Sequence, residues 1–401
     1  MKKIFSLVAM LLVFAMMLAS CGSGSQDQPQ PDSGNTDPSP DSGTTTEKIL
    51  RIGGTGPLTG DYSNYGISVR NGAQIAVDEI NAAGGVNGMT FYLDMQDDQG
   101  DPDSAVAAYG KLIDNGMHVS IGAVFSGAMA SVSLAAVEDD ILLISPSASN
   151  DACIGSNDKA FRICFTDSSQ GKFSADYIKD HNLADEVAVL YQSDLDYSFG
   201  LYESFAARAE ELGIKISSVQ TFDDSTKTDF STQVNAINAS GVKLVFIPIY
   251  AAEASTFLSQ AKGKLSDDTL YFGCDGLDGI LTKVENDVSL ADNVMELTPF
   301  SADDKDSRVQ SFVAKYQDAY NATPDQFAAD AYDAIYVYKT LIEKGNITDP
   351  EDCSGEYLAS LMTEIEVSGI TGTMTWLANG DTEKDAKAMI IKDGVASLYE
   401  G

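Results

Sequence analysis

The fold is decided by the stretch His118–Ser133, which reads HVSIGAVFSGAMASVS. A short apolar run over 119–125 ends at Ser126-Gly127, and a helical pattern of small residues follows at once. This pattern predicts a buried strand that leads directly into a helix, whose first turn presents free backbone N–H groups and a serine hydroxyl. In an open α/β sheet such a turn lies at the carboxyl end of a strand, where small anionic ligands bind. We therefore expect this turn to bind the carboxylate end of a ligand in a cleft.

The residues on both sides of this stretch repeat the alternation of strand and helix. Before it, a strand over 49–54 leads through a polar loop to an amphipathic helix over 67–82. After it, a second series of strands and helices runs from 171 to 273, and helices follow over 306–320 and 325–344. The alternation is typical of α/β proteins with doubly wound parallel sheets. Because about 350 residues are more than one core usually serves, we expect two lobes.

The N-terminus has the features of an export signal. Two lysines precede an apolar run over 4–17, and the tetrapeptide Leu18-Ala19-Ser20-Cys21 forms a small-residue cleavage site. The alternative interpretation is a membrane-spanning helix. The apolar run is shorter than the ~20 residues that such a helix needs. The tetrapeptide resembles a bacterial lipobox, in which the cysteine carries the lipid. We expect a lipoprotein signal peptide over 1–20 and lipidation at Cys21.

Composition limits the partners of the chain. Residues 21–47 are almost free of apolar side chains, so they are expected to form a disordered tether. The whole chain has 60 acidic and 25 basic residues, a formal net charge of −35. Nucleic acid is excluded as a partner because phosphate binding needs the opposite sign. A strongly acidic surface otherwise indicates solubility and no particular chemistry.

The cysteines suggest one disulfide. Cys153 and Cys164 flank the segment CIGSNDKAFRIC, and an exported chain permits oxidation. We predict a bond between them, with two free buried thiols as the alternative. For Cys274 and Cys353 the spacing does not decide between pairing and free thiols.

Catalytic, cofactor and metal motifs are weak. The glycines of GGTGPLTG, residues 53–60, have the wrong spacing for a dinucleotide fingerprint, and Pro57 and a polar run separate them from the next helix. His118 and His181 are the only histidines, and no G-x-S-x-G motif exists. The acidic segment 97–103 lacks the calcium-loop pattern, and zinc ligands are too few. We predict no enzyme activity, no cofactor and no metal.

Polar residues instead recur at the ends of predicted strands. The carboxyl ends of parallel strands lie at the same edge of a sheet, so polar residues that follow these strands converge there. Hydroxyl and N–H groups on one lobe, with a carboxylate and aromatic rings on the other, suit a zwitterionic ligand. The residues are Ser126, Ser145, Ser147 and Ser149 in the first half, and Tyr197, Tyr250 and Asp275 in the second.

Almost the whole exported region resembles the branched-chain-amino-acid-type solute-binding proteins of ABC transporters, which have the type I periplasmic binding fold. The helix-and-glycine segment that ends at Gly88 is the most specific part of this resemblance. The shared motifs are IGGTGPLTGDYSNYG (52–66), GAQIAVDEINAAGGVNG (72–88), DDQGDP (97–102), IGAVFS (121–126), ISPSAS (144–149) and FRICFTD (161–167), followed by DYSFG, DFSTQV and GCDG.

The resemblance also implies roles for individual residues. Ser126 and Ser149 would donate hydrogen bonds to the ligand α-carboxylate, together with backbone groups near Ser147. Asp275 would accept hydrogen bonds from the ammonium group, helped by the Ser147 carbonyl. Many relatives have Glu at the position of Asp275 and Thr at that of Ser149, so the shorter acid here shifts the ligand or requires a water. The implied aromatic walls are Tyr65, Tyr197 and Tyr250.

The implied architecture is two doubly wound parallel-sheet lobes joined by a three-stranded hinge. Lobe 1 would contain residues 48–166 plus about 299–371, and lobe 2 would contain 167–298 plus about 372–401. The chain would cross between the lobes near Phe165, Pro299 and Gly372. A ligand bound to one lobe would recruit the other, and closure would bury it.

The implied function is that of an extracellular substrate-binding lipoprotein of an ABC importer. It would be a monomer, anchored to the cell membrane by its lipid, and would deliver a small amino acid to the membrane permease. A largely apolar pocket of Phe125, Leu195, Ile249 and the tyrosines would favour aliphatic or aromatic side chains. The alternatives are a ligand sensor for a signalling receptor and an exported α/β hydrolase.

Overall fold

The computed structural model describes residues 48–382, 384 and 386–399, which form two main β-sheets and the helices around them. The predicted signal peptide, the lipidation site at Cys21 and the tether lie outside these described residues. No helix within the described ranges is long and apolar enough to cross a membrane.

The first sheet, sheet A, is parallel throughout. Its strands are β1 (Lys48–Gly56), β2 (Met89–Asp97), β3 (Val119–Ala123), β4 (Leu142–Ser145) and β5 (Ala160–Arg162). Their order across the sheet is β2-β1-β3-β4-β5. All five residues of β3 are buried, as expected for a central strand of a parallel sheet that is covered on both faces. The apolar run over 119–125 therefore supplies the central strand of this sheet.

The second sheet, sheet B, is parallel except at one edge. The remaining strands are β6 (Glu186–Gln192), β7 (Lys215–Phe222), β8 (Leu244–Phe246), β9 (Leu270–Gly273), β10 (Val294–Thr298), a short hairpin of β11 (Val367–Ser368) and β12 (Thr373–Met374), then β13 (Lys387–Lys392) and β14 (Val395–Leu398). Sheet B has the order β14-β13-β10-β9-β8-β6-β7. Its last two strands run antiparallel to their neighbours. These two sheets confirm the predicted α/β class.

Helices follow most strands and begin at the carboxyl edges of the sheets. They are α1 (Ser63–Ala82), α2 (Pro102–Asp114), α3 (Ser126–Ala135), α4 (Asp167–Asp180), α5 (Asp196–Leu212), α6 (Ser231–Ser240), α7 (Ala251–Ala261), α8 (Ile280–Lys283), α9 (Ser307–Tyr320), α10 (Gln326–Lys344) and α11 (Gly355–Met362). Side chains fix several starts: Asp101 accepts from Ser104 N (2.8 Å), and Thr166 accepts from Ser169 N (3.1 Å).

The chain passes between the sheets three times. It leaves β5 of sheet A for α4, returns from β10 to α9, and passes again from β12 to β13. Helices α9 and α10 pack on the sheet A side, where Lys315 pairs with Glu79 (2.7 Å) and the Tyr338 hydroxyl donates to Ser120 O (2.6 Å). Each half of the molecule is thus built from separate parts of the sequence. The residue limits given above for the two lobes remain a prediction.

The disulfide predicted between Cys153 and Cys164 is not formed, and both residues are free, buried thiols. The segment between them does not close on itself, because its second half pairs with β4 as strand β5. Cys153 instead contacts the carbonyl oxygen of Ala148 through its sulfur (3.4 Å). Burial raises the pKa of both thiols, so they behave as small apolar side chains.

Helices α1 and α10 approach each other closely at Gly72. A β-carbon built on Gly72 would lie 1.9 Å from the carbonyl oxygen of Ala328, which is well inside van der Waals contact. This oxygen belongs to the backbone of α10, so it can move only if the two helices separate. Glycine is therefore required here for packing and not for a turn.

Gly72→Ala should lower the free energy of unfolding by about 1–3 kcal/mol, because the added methyl forces the two helices apart. Urea denaturation followed by circular dichroism measures this change. The matched control is Gly110→Ala in α2, where no heavy atom lies within 4 Å of the new β-carbon. Because alanine has a higher helix propensity than glycine, the free energy of unfolding of this control should equal or exceed that of the wild type. Equal stability of Gly72→Ala and the wild type would contradict the close packing.

Candidate ligand-binding site

A small cavity lies between the two sheets and is bordered by all seven residues predicted to bind a ligand. It is found at the carboxyl ends of the strands, as expected for an α/β sheet. The seven are Tyr65, Ser126, Ser147, Ser149, Tyr197, Tyr250 and Asp275, and the other lining residues are Val124, Phe125, Gly276 and Phe327. The geometry brings the predicted set together, while its binding role remains a prediction.

One wall of the cavity, the serine wall, consists of Ser126, Ser147 and Ser149, which follow strands β3 and β4 of sheet A. Ser126 is the first residue of α3, and its hydroxyl oxygen accepts a hydrogen bond from Asn150 N (3.2 Å). Its own hydrogen therefore remains available for an acceptor in the cavity. The Ser147 hydroxyl donates to Val124 O (2.8 Å), so this side chain fixes the loop. Ser126 and the backbone of this loop are thus suited to bind an anionic group.

The shape of the serine loop, residues 146–150 after β4, depends on a buried arginine. The Arg162 side chain is inaccessible to solvent, and its Nη1 donates to the carbonyl oxygens of Ala148 and Asn150, each at 3.0 Å. Its Nε lies 2.9 Å from Asp381 Oδ1 in the third passage between the sheets. This contact could not be read from the sequence, because the partners are distant along the chain. Arg162 links the serine wall to the connection between the sheets.

The opposite wall carries the Asp275 carboxylate. Asp275 follows β9, is 3% exposed, and accepts a hydrogen bond from the Tyr197 hydroxyl at Oδ1 (2.7 Å). The same hydroxyl accepts from Gly276 N (2.8 Å). Burial raises the pKa of Asp275 to about 6, although the Tyr197 hydrogen bond opposes this rise. A cation placed beside it would favour the ionised form.

A second buried carboxyl, Asp167, lies beside this wall and was not predicted. It is the first residue of α4, it is inaccessible to solvent, and its Oδ2 accepts from Asn150 Nδ2 (3.2 Å). Its Oδ1 has no hydrogen-bond partner among the described residues. Burial, and then the nearby Asp275, raise the pKa of Asp167 well above its usual range. In the sequence it is indistinguishable from an ordinary acid in a first helical turn.

Aromatic rings fill the remaining walls. Phe125 stacks on Tyr250 with centroids 4.8 Å apart, and Tyr250 stacks on Tyr197 at 4.8 Å. Phe327 of α10 lies edge-on to Tyr65 at 5.0 Å and completes the lining. Sequence reasoning missed Phe327 because α10 is remote in the chain. Leu195 and Ile249, which were expected in the pocket, do not line it.

The Tyr65 hydroxyl joins the two sides of the cavity. It donates to Gly276 O (2.6 Å) and accepts from Ala251 N (2.9 Å), both on the sheet B side. Burial raises the pKa of Tyr65 well above its usual range, so the phenol keeps its proton as a donor. Tyr65 is therefore both an aromatic wall and a direct link between the halves.

Two α/β halves with a polar and aromatic cavity between them define a two-sided binding protein. The sequence matches the family described as periplasmic binding protein over residues 49–394, so the chain belongs to this family. Its members bind substrates outside the cytoplasm and are not enzymes.

Similarity to individual proteins supports this family assignment. The chain is 29% identical to Leu/Ile/Val-binding protein homolog 3 of Brucella melitensis, over 83% of this chain and 88% of the relative. It is 29% identical to the leucine-, isoleucine-, valine-, threonine- and alanine-binding protein of Pseudomonas aeruginosa, over 75% of this chain and 80% of the relative. Among solved structures, LivJ from Streptococcus pneumoniae in complex with isoleucine has 27% identity and a TM-score of 0.80, over 88% of this chain and 99% of LivJ.

Tyr65→Phe should weaken the contact between the two sides, because it leaves Gly276 O and Ala251 N without their partner. We expect the free energy of unfolding to fall by about 1–3 kcal/mol and the population of open molecules to rise. Urea denaturation and small-angle scattering measure these two effects. Tyr92→Phe, which alters an exposed ring on β2, is the control and should change neither. An unchanged scattering profile for Tyr65→Phe would contradict the bridging role.

Proposed function

We propose that this protein is the substrate-binding subunit of an ABC importer, and that it binds an amino acid with an aliphatic or aromatic side chain. The observation that carries the proposal is the pairing of a buried carboxylate, Asp275, with the serine wall across one cavity. None of the described residues that line this cavity is Lys or Arg. The ligand must therefore supply the positive charge, as the ammonium group of an amino acid does.

The assignment of the two ends of the ligand follows from these walls. The α-carboxylate accepts from Ser126 and from backbone N–H groups of the serine loop, with Ser149 beside them. The ammonium group donates to Asp275 and to the Ser147 carbonyl. The side chain extends among the rings, where Tyr65, Tyr197 and Tyr250 remove apolar surface from water. The ligands in the names of the relatives, which include leucine, isoleucine and valine, support this choice.

The proposal includes the route by which the ligand reaches the cell. The tetrapeptide 18–21 supports a lipid at Cys21 that anchors the protein outside the membrane, with residues 21–47 as the linker to the binding domain. Closure of the two halves around the ligand creates the surface that a permease reads. The name of the Streptococcus pneumoniae relative, a transporter substrate-binding protein, supports this partner.

Calorimetry with leucine and its two truncated analogues tests the proposal. Leucine, or another amino acid from an aliphatic and aromatic panel, should bind, because both walls are then satisfied. The deaminated acid 4-methylpentanoate and the decarboxylated amine 3-methylbutylamine should each bind at least about 100-fold more weakly, since one buried wall is left unpaired. Equal binding of 4-methylpentanoate and leucine would overturn the role of Asp275. Failure of every amino acid to bind would overturn the proposed function.

Amino acid affinity should depend on pH through Asp275. Only the ionised carboxylate stabilises the ammonium group, and a bound amino acid lowers the pKa of Asp275 from its value of about 6. Affinity is then fully present above pH 7 and is lost as the pH falls through 6, by up to about tenfold per pH unit. Titrations in buffers of different ionisation enthalpy at pH 5.5 should detect proton release on binding.

Asp275→Asn supplies the matched comparison for this pH dependence. It should weaken binding at pH 7.5 by about 2 kcal/mol or more, and its remaining affinity should vary less between pH 5 and 7. The exposed Asp267, just before β9, provides the control substitution Asp267→Asn, which should leave affinity and pH profile unchanged. An unaltered pH profile in Asp275→Asn would assign the titration to another group.

A further inference from the structure

A loop tyrosine outside the predicted site, Tyr62, packs on the aromatic wall of the cavity. It lies between β1 and α1 and is half-buried. Its ring meets Phe125 edge-on at 5.6 Å between centroids and Tyr250 at 5.7 Å. Phe125 and Tyr250 both line the cavity, and they stack on each other. Tyr62 therefore forms a second layer of aromatic surface directly behind the two rings.

The ring of Tyr62 is held in place from the other half of the molecule. Its hydroxyl donates to Glu253 Oε1 (2.6 Å), in the first turn of α7 and only three residues after Tyr250. Lys227, in the loop between β7 and α6, donates to the Tyr62 hydroxyl (3.3 Å) and lies 5.4 Å from the ring centroid. The neighbouring Asp61 is tied to the same half, because its carbonyl oxygen accepts from Lys283. Tyr62 and the residue before it are thus both bound by residues of the other half.

Charged residues surround the hydrogen bond between Tyr62 and Glu253 and stabilise it. Glu253 is 3% exposed, and Lys227 lies 4.0 Å from it and 2.7 Å from Asp224. Burial raises the pKa of Tyr62, and the adjacent Glu253 carboxylate raises it further, so the phenol stays protonated and donates. A buried acceptor that loses its donor is costly. Displacing the ring therefore removes a hydrogen bond, a cation–π contact and two aromatic contacts together.

We propose that Tyr62, held by Glu253 and Lys227, is a specificity-determining residue that limits the size of the ligand side chain. This inference rests on the proposed function, since it concerns the side-chain end of a bound amino acid. The serine wall and Asp275 fix the two charged groups of the ligand, so its side chain must extend among Tyr65, Phe125 and Tyr250. A side chain large enough to move Phe125 or Tyr250 outward meets Tyr62, whose position is fixed across the cleft. Smaller side chains leave it undisturbed.

The test compares Tyr62→Ala with the wild type across valine, leucine, phenylalanine and tryptophan, with dissociation constants from calorimetry on the purified protein. The ratio of the dissociation constant for the largest side chain to that for valine should fall by about tenfold or more in Tyr62→Ala, because space opens behind the two rings. Tyr62→Val should change the ratio in the same direction by a smaller factor. Thermal unfolding of each variant, together with retained valine binding, checks that the site is intact.

Further variants separate the hydrogen bond from the ring. Tyr62→Phe keeps the ring and loses the contact to Glu253, so it should weaken all four ligands by a similar factor. Glu253→Gln keeps an acceptor and should preserve the order of the four ligands. Tyr92→Ala, on an exposed surface of β2, is the control and should change no affinity. An equal loss for all side chains in both Tyr62→Ala and Tyr62→Val would overturn the size limit. Absence of amino acid binding in the wild type would instead refute the proposed function.

Discussion

The convergence of strand ends in two parallel sheets is the constraint on which the rest of this structure depends. Parallel strands all finish at one edge, so the helices that follow them begin there with unpaired N–H groups. Ser126, Asp167, Asp196 and Ala251 are the first residues of α3, α4, α5 and α7, and these helices come from both sides of the cleft. The two edges face each other, which concentrates polar groups from distant parts of the sequence around one cavity. The location of the site thus depends on the strand topology more than on any one side chain.

The charge balance in this cavity supports the proposal that the ligand is a zwitterion. Asp275 and Asp167 are both removed from water, and neither forms a salt bridge with a Lys or Arg among the described residues. Burial of two such carboxyls without a cation is unfavourable for their ionised forms. An ammonium group relieves this cost, while the serine wall on the other side satisfies a carboxylate. The same arrangement disfavours a simple organic acid, because such a ligand supplies no cation for Asp275 and adds a negative charge near two buried acidic groups.

Much of the fold follows from local patterns, and the failures have identifiable physical causes. The apolar run before Ser126 gave the central strand correctly, since burial on both faces leaves a continuous apolar signal. Helix α1 was expected from residue 67, but it begins at Ser63 within a run of polar residues that carries no apolar period. The prediction of a disulfide between Cys153 and Cys164 was wrong, because spacing alone does not reveal that strand β5 lies between them. Asp167 and Phe327 were missed, since their roles depend on contacts between remote segments, whereas the strand-end residues could be recognised by position and resemblance.

The packing of α10 on α1 also has a consequence for how the molecule is made. Asn87, just after α1, donates to the carbonyl oxygen of Ile347 (2.9 Å), a partner 260 positions later in the chain. The first half therefore cannot reach its final form until nearly the whole polypeptide exists, with the second sheet inserted between its parts. Contacts of such long sequence separation slow folding, since the entropy of closing a long loop precedes the gain from packing. The helices α9 and α10 therefore complete the first half only after strands β6 to β10 of the second sheet have been synthesised.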